Sequence, residues 1–542
     1  MSDSKSVNRL RLWLLGALLV AVILKAWLLC LDVIPFNADE AVVALMGRHI
    51  LAGERPVFFY GQAYLGSLDA WLVAFGFALF GQQVWVVRLV QIFLYVGTIL
   101  TTAMLGKQIY GSSQVGVVAA WMLAIPTVNV TLYTTASLGG YGEALLIGNL
   151  ILICTLRLDI KVRNASFPSV WDLLSWGFLA GLGWWVFGLT LIYSLPAGVY
   201  LVWLGIRTRA KWDKLIPMIA GMLLGSLPWW AYALAQGMQS LLGELGGSAI
   251  SGVEGLPYGF QLWQHLSNLL LLGTTVVLGF RPPWSAEWLG LPLIPFVLLF
   301  WLGVVLGVRR ETRQNIHPGI VLVMGMVILL LAAFIFTPFG ADPSGRYFLP
   351  LAVPMAIFAA YWIVSLGSQR SDFPLVRWRW GLVVMVLGYH LWGTVQSAFK
   401  YPPGLTTQFY SVTQIDQREM PELVDFLRSQ GEHAGYSNYW VSYPLAFLSN
   451  EEMIFLPRLP YHQDFRYTSR DDRYAPYADQ VKQSERLAYI TTHHPELDRY
   501  LQERFAALNL NWQEAWIGDF HIFYNVSRPV HPQEVGLGEL TP

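Results

Sequence analysis

Eleven apolar segments of membrane-spanning length dominate this chain, near residues 11–32, 84–106, 115–130, 142–156, 172–188, 189–206, 215–234, 286–308, 319–337, 347–366 and 380–397. About 20 apolar residues suffice for a helix to cross the hydrocarbon core. Backbone exposed to lipid must satisfy its hydrogen bonds internally, so such segments become helices. The sequence therefore predicts an α-helical polytopic membrane protein of about 11 transmembrane helices. Residues 172–206 are read as a hairpin of two of these helices, and 260–280 as a re-entrant or interfacial helix.

The charges test this reading. Only 13% of the residues are charged, against about 25% in soluble domains. Their basic members fall in clusters: Lys5, Arg9 and Arg11; Lys107; Arg157, Lys161 and Arg163; Arg207, Arg209, Lys211 and Lys214; Arg309, Arg310 and Arg313; Arg370, Arg377 and Arg379. Threaded through eleven spans, every cluster lands on one side, which the positive-inside rule makes cytoplasmic. The N-terminus is then cytoplasmic and its first apolar run a retained helix rather than a cleaved signal. Residues 33–83, 131–141, 235–285, 338–346 and everything after about 398 fall outside. Lys+Arg and Asp+Glu number 35 each, and a zero net charge argues against nucleic acid as a partner. Cys30 and Cys154 both lie in apolar segments, so no disulfide framework is expected.

At KYPPGLTTQ, residues 400–408, the composition turns polar. This divides the chain into a membrane domain, 1–398, and a small extracytoplasmic α/β domain, 399–542. In the latter, PELVDFLRSQG reads as an amphipathic helix closed by Gly431, and RLAYITT and FHIFYNV read as strands. No internal repeat is evident, which counts against inverted-repeat transporters.

Within the first outer loop, Asn37 is a plausible N-cap for a helix carrying Asp39 and Glu40 in its first turn, and Gly53 and Pro56 stop it. Acids at a helix start commonly just complement the dipole. Adjacent helical residues diverge by about 100°, however, so both cannot cap. The same loop holds Arg48, His49, Arg55, Gln62, Tyr64 and Asp69. Ionisable groups at membrane depth are costly unless they face a wet cavity. His49, alone on an apolar helix, reads as a packed polar residue.

The acid pair after the first span, the interfacial loop, and LFGQQVWVVRL opening the second span together resemble the GT-C glycosyltransferases. Within these, they are similar to bacterial family-39-like enzymes related to protein O-mannosyltransferases and to the aminoarabinose transferase of lipid A. The resemblance covers the first hundred residues best and continues through GGYGEALLIGNL, GRYFLPLAVP, HAGYSNYWVSYPLAFLSNEE and YAPYADQV. It implies a plasma (inner) membrane glycosyltransferase. Such an enzyme takes a sugar from a polyprenyl-phosphate donor and passes it, with inversion, to a hydroxyl-bearing acceptor. The first-loop acid of that family falls on Asp39. Many relatives carry an acid-Lys-Pro-Pro phrase later in the loop. This chain has Tyr60-Gly61-Gln62-Ala63-Tyr64 instead, which leaves donor recognition open.

Such chemistry needs a carboxylate to take the acceptor's proton; Asp39 is the expected base, with Glu40 as the alternative. The departing phosphate needs fixed cations, and an Arg fork suits phosphate oxygens. Arg346, followed by Tyr347 in ADPSGRYFLP, leads, with Arg48, Arg55 and Arg88 competing. Two carboxylates without a His/Cys cluster suit Mg or Mn better than zinc, making Asp39 and Glu40 candidate metal ligands. Asp69 and Glu143 are second-rank cavity residues. The glycines of Gly139-Gly140-Tyr141-Gly142 would let a substrate approach bare backbone beside Glu143. Tyr436, Asn438, Tyr439 and Trp440 form a polar-aromatic cluster in the tail, suited to carbohydrate or else to a strand edge; His493 and His494 carry no expected role. Two other readings stand beside this one: a transporter or flippase of lipid-linked sugars, and a sensor or scaffold in which the loop acids merely cap.

Overall fold

The computed structural model describes residues 2–164, 166, 168–209, 215–244, 256–314, 317–367, 374–400 and 404–538. Lys211, Lys214 and Arg370 of the basic clusters, and Tyr401–Pro403 of the composition shift, lie outside these residues.

All eleven expected segments are helical, but they are not eleven equal spans. Among the described residues, seven helices are long and apolar enough to cross a membrane: Asn8–Cys30, Val84–Tyr110, Gly188–Arg207, Leu291–Arg313, Pro318–Phe336, Arg346–Leu366 and Trp378–Lys400. Leu215–Gly225 and Leu227–Gln236 make an eighth only as a pair bent by 64°. The bend falls where Pro228 enters, which fits a residue that cannot continue the ladder behind it. Ser113–Ala124 is a 12-residue helix, ending just before Pro126. Tyr141–Arg163 is long enough at 23 residues, yet its last two turns carry charges. The 260–280 segment is part of one continuous helical run, Tyr258–Ser267, Asn268–Gly273 and Thr274–Val277, with a π-helical middle.

Two helices meet through glycine. Cβ atoms on Gly177 and Gly181 of Val170–Val186 would collide with the Met218 and Met222 carbonyls, and Cβ atoms on Gly221 and Gly225 with those of Leu174 and Phe178. Small residues four apart on facing helices let backbones touch, the usual device where lipid removes the hydrophobic drive between helices.

The first loop folds back on this bundle. Asn37 caps the helix Ala38–Ala52, its Oδ1 accepting from the Glu40 N–H at 3.0 Å. Gly53 ends it in the left-handed region, φ 113°. A short hairpin follows, β1 (Phe58–Phe59) and β2 (Gln62–Gly66). Trp185 Nε1 donates to the Val57 carbonyl at 2.9 Å, and Leu65 bridges to Phe187, fixing the hairpin on the bundle.

The C-terminal region is α/β. Its strands are β3 (Ala434–Ser437), β4 (Ile454–Pro457), β5 (Ala488–Thr492), β6 (Gln513–Ile517) and β7 (Phe520–Tyr524). They form one sheet in the order β4-β3-β5-β7-β6. β3 pairs parallel with β4 and β5, and the β6–β7 hairpin adds the antiparallel edge. RLAYITT and FHIFYNV thus hold β5 and β7, and PELVDFLRSQ supplies Met420–Gln430, closed by Gly431 at φ 71°. The helix Tyr439–Leu448 between β3 and β4 packs on the first-loop helix, with Phe447 between Phe36 and Phe77 at ring separations of 5.5 and 6.0 Å.

Candidate active site

The helical divergence of Asp39 and Glu40 sends them to different environments. Glu40 is fully buried, and its two oxygens accept from Arg88 Nε at 3.0 Å and Nη2 at 3.1 Å. Arg88 Nη2 also donates to the Ile34 carbonyl at 2.9 Å. This fork stitches the first loop to the second span. It corrects two expectations: Glu40 is no alternative base, and Arg88 is no phosphate ligand.

Asp39 is half-buried. Its Oδ1 accepts from the Tyr439 hydroxyl at 2.6 Å, leaving Oδ2 without a hydrogen bond among the described residues. Of the tail cluster, Tyr439 alone reaches the loop acid. Tyr436 sits in β3, its hydroxyl 2.6 Å from His531 Nδ1, and Asn438 caps the Tyr439–Leu448 helix and donates to Thr492. Those two are packed and hydrogen-bonded within the C-terminal region, Tyr436 on the interior strand β3 and Asn438 as a helix cap just beyond it.

Because Glu40 gives both oxygens to Arg88, the Asp39–Glu40 pair does not fit Mg or Mn as joint ligands. Among the described residues no group of three or more His, Cys, Asp or Glu side chains is arranged to hold a metal ion.

Arg346 stands at the N-terminal end of its helix, behind Gly345, which takes φ 76°. Its Nη2 pairs with Asp342 at 2.6 Å, and its guanidinium lies over the Tyr347 ring at 5.3 Å. Its buried Nε–H finds no acceptor among the described residues. Beside it opens an apolar cavity of about 230 Å³ between the helices Leu191–Arg207 and Pro318–Phe336. Ile192, Leu195, Leu330 and Phe334 line it, and Tyr64 and Tyr347 stand at its polar end. Burial pushes the Tyr64 phenol up; the charges of Arg346 and Arg473 oppose that, and Asp39 reinforces it. Tyr64 therefore lies within the fields of all three.

Other predicted residues are engaged elsewhere. Asp69 and Glu143 are buried close to one another; Asp69 accepts from Gln91 Nε2 at 2.9 Å and from Ser137, and both Glu143 carboxyl oxygens are without a hydrogen-bond partner among the described residues. Bare backbone at Gly139 and Gly140 does not await a substrate. Both lie at positive φ, and Cβ atoms there would come within 3.2 Å of Phe59 and of the Val186 carbonyl. Arg55 is consumed by the Ile50 and Glu54 carbonyls, at 3.2 and 2.7 Å, and stacks over Trp71.

Arg48 docks the C-terminal region instead of a phosphate. It donates to Gln82 at 2.8 Å and to the Phe447 carbonyl at 3.1 Å, and pairs with Glu451 at 3.4 Å. His49 joins it, 2.9 Å from Glu451 Oε1 and 3.0 Å from the Tyr60 hydroxyl. Burial raises the Glu451 pKa, but hydrogen bonds from His49 and Tyr477 and the charge of Arg48 win, holding it down to about 2. A depressed carboxylate contributes stability above its unfolded value and loses it as pH falls through the folded one. The docking contribution of Glu451 is thus complete above about pH 4.5 and disappears toward pH 2. Glu451→Gln should flatten an acid titration of docking, followed by limited proteolysis, over that window. An unchanged profile would remove Glu451 from the joint.

Two site residues escaped the sequence reading. Arg473 and Asp471 lie in the run Ser469-Arg470-Asp471-Asp472-Arg473, which locally reads as a solvated charge patch. Asp471 is buried. Burial pushes its carboxyl up to about 7, Arg473 opposing and Asp39 reinforcing. Arg473 lies over the Tyr439 ring at 5.2 Å and the Phe59 ring at 5.9 Å.

A helical membrane bundle, an acid-bearing first loop and a docked C-terminal α/β region together make the GT-C fold. ArnT from Cupriavidus metallidurans, solved bound to undecaprenyl phosphate, shares it with a TM-score of 0.57 and 15% identity, over 96% of this chain and 98% of that one. The Archaeoglobus fulgidus oligosaccharyltransferase in its apo form shares it with a TM-score of 0.54 and 12% identity, over 91% of this chain and 71% of that one.

In sequence, the chain is similar to the undecaprenyl phosphate-α-4-amino-4-deoxy-L-arabinose arabinosyl transferase of Pseudomonas paraeruginosa, with 24% identity over 354 residues. The similar stretch is 62% of this chain and 57% of that protein, so the match spans little more than half of the curated relative's length. The corresponding protein of Pseudomonas aeruginosa strain LESB58 is 24% identical over 344 residues, 60% of this chain and 55% of that protein. No family model matches the chain.

Proposed function

We propose that this protein transfers a sugar from a polyprenyl-phosphate donor to a hydroxyl acceptor, inverting the anomeric centre, on the outer face of the plasma (inner) membrane. The reading puts the N-terminus in the cytoplasm and the C-terminal α/β region outside. The observation that carries it is the apolar cavity between two membrane helices, which ends at Tyr64 and Tyr347 beneath Arg346, with the half-buried Asp39 acting on the same tyrosine. The cavity suits the phosphate-proximal isoprene units of a polyprenyl chain, which would bring its phosphate to the tyrosines. The fold is shared with ArnT, whose structure holds undecaprenyl phosphate, and the similar Pseudomonas proteins are named for an undecaprenyl-phosphate sugar.

The chemistry follows from the positions. As the bond from the anomeric carbon to the phosphate oxygen breaks, negative charge grows on the phosphate, and Arg346 and the Tyr64 hydroxyl receive it. The acceptor hydroxyl attacks from the opposite side and passes its proton to Asp39. Tyr439, donating to Oδ1, fixes the carboxylate's rotamer and keeps Oδ2 for the acceptor.

The purified chain, reconstituted in vesicles with undecaprenyl phosphate carrying a radiolabelled sugar and a membrane extract as acceptor, should move label off the lipid into a new glycosidic linkage. It should also release undecaprenyl phosphate. Label that stays on the lipid while the lipid crosses the bilayer would identify a flippase instead.

A further inference from the structure

The C-terminal region brings to the site a cation, Arg473, that lies in the fields of Asp39 and Asp471 but makes no ion pair within 4.0 Å among the described residues. Among the described residues, the ion pairs within 4.0 Å include Arg346 with Asp342 and Arg458 with Asp472, but none involving Arg473. Its guanidinium instead meets neutral groups. Gln62 Oε1, in the amide orientation its neighbours require, accepts from Arg473 at 2.8 and 3.0 Å. Phe59 and Tyr439 offer ring faces. The Arg473 Nε–H, like that of Arg346, is buried without an acceptor among the described residues. A buried cation with no carboxylate in direct contact is costly, and an anionic ligand bound against it lowers that cost.

Two further features hold this arginine in place. The Arg473 backbone N–H donates to the Tyr443 hydroxyl at 2.5 Å. Gly61 presses against the arginine so closely that a Cβ there would lie 2.9 Å from its Cδ. Residues two apart on a strand share a face, so on β2 Gln62, which grips Arg473, lies on the same side as Tyr64 at the cavity's polar end. Arg346 approaches that end from the membrane helices, over Tyr347.

We infer that Arg473 is the second phosphate-binding cation of the donor site, so that the lipid phosphate is clamped between Arg346 from the membrane bundle and Arg473 from the C-terminal region. The inference rests on the proposed function and goes beyond it. Donor recognition depends on docking of the two parts of the chain, and the first loop's own lack of a lysine after β1 is made good from a residue more than 400 positions away.

The test uses the full chain in detergent and two probes, undecaprenyl phosphate and uncharged undecaprenol, with binding followed by tryptophan fluorescence. Arg473→Gln should weaken undecaprenyl phosphate by about ten- to a hundred-fold, the worth of a charge-assisted hydrogen bond, and leave undecaprenol affinity unchanged. Arg473→Lys should recover part of the loss. Equal weakening of both lipids would mean that Arg473 only shapes the site, and would overturn the inference. So would undecaprenyl phosphate affinity unchanged in Arg473→Gln while Arg346→Gln loses it, although the proposed function would survive that result. A wild-type protein that does not prefer the phosphate over the alcohol would overturn both.

Discussion

Asp39→Asn should lower the rate of sugar transfer by about 10²- to 10⁴-fold, the range by which a positioned general base contributes. The substitution is nearly isosteric, and the asparagine oxygen can still accept from Tyr439 where Asp39 Oδ1 does at 2.6 Å. The loop helix keeps its Asn37 cap and its Glu40–Arg88 fork, since neither involves the Asp39 side chain. Undecaprenyl phosphate affinity should therefore stay close to wild type while the chemical step fails. Single-turnover transfer from a labelled donor separates these quantities. A variant that transfers sugar at the wild-type rate would remove Asp39 from the chemistry.

Glu40→Gln should have its effect on folding instead. Burial pushes the Glu40 carboxyl up even against the pull of Arg88, so desolvation outweighs attraction at this pair. Such a pair contributes little net stability, but breaking it is costly because the surviving charge stays buried alone. The single substitution should cost about 3–5 kcal/mol, read as a loss of thermal stability and of folded yield. Replacing both partners with apolar residues, Glu40→Leu with Arg88→Met, should recover a large part of that loss. A double variant as unstable as the sum of its singles would contradict the account, since additive costs mean uncoupled sites.

The contrast between these neighbouring acids shows what the sequence could reveal. Features written in local chemistry were legible: Asn37 as a cap, Gly53 and Gly431 as stops, and β5 and β7 as strand-like apolar runs. Helix existence was legible for the same reason, whereas helix continuity was not. The break near Pro228 and the short Ser113–Ala124 depend on how neighbouring helices take up the freed backbone. The partners of Glu40, Arg48 and Arg55 were hidden because each is settled by what lies within 3–4 Å after folding. Arg48 found Glu451, Arg55 found its own loop carbonyls, and Glu40 found an arginine on the next helix. Arg473 was the hardest to foresee, since a charge run among aspartates reads as surface until the α/β region docks on the first loop.

The docking also explains why the tail matters. Tyr439 and Phe447 lie on one helix; the first meets Asp39 and the second fills the gap between Phe36 and Phe77. Apolar packing thus sets the distance at which a phenol meets the carboxylate.

A structure of the full chain determined with undecaprenyl phosphate is the most direct measurement. The lipid chain should lie between Leu191–Arg207 and Pro318–Phe336, with phosphate oxygens about 3 Å from the Arg346 guanidinium and the Tyr64 hydroxyl, and with Asp39 open on the side away from the lipid. A phosphate bound at another face of the bundle, with Arg346 still held only by Asp342, would contradict this account.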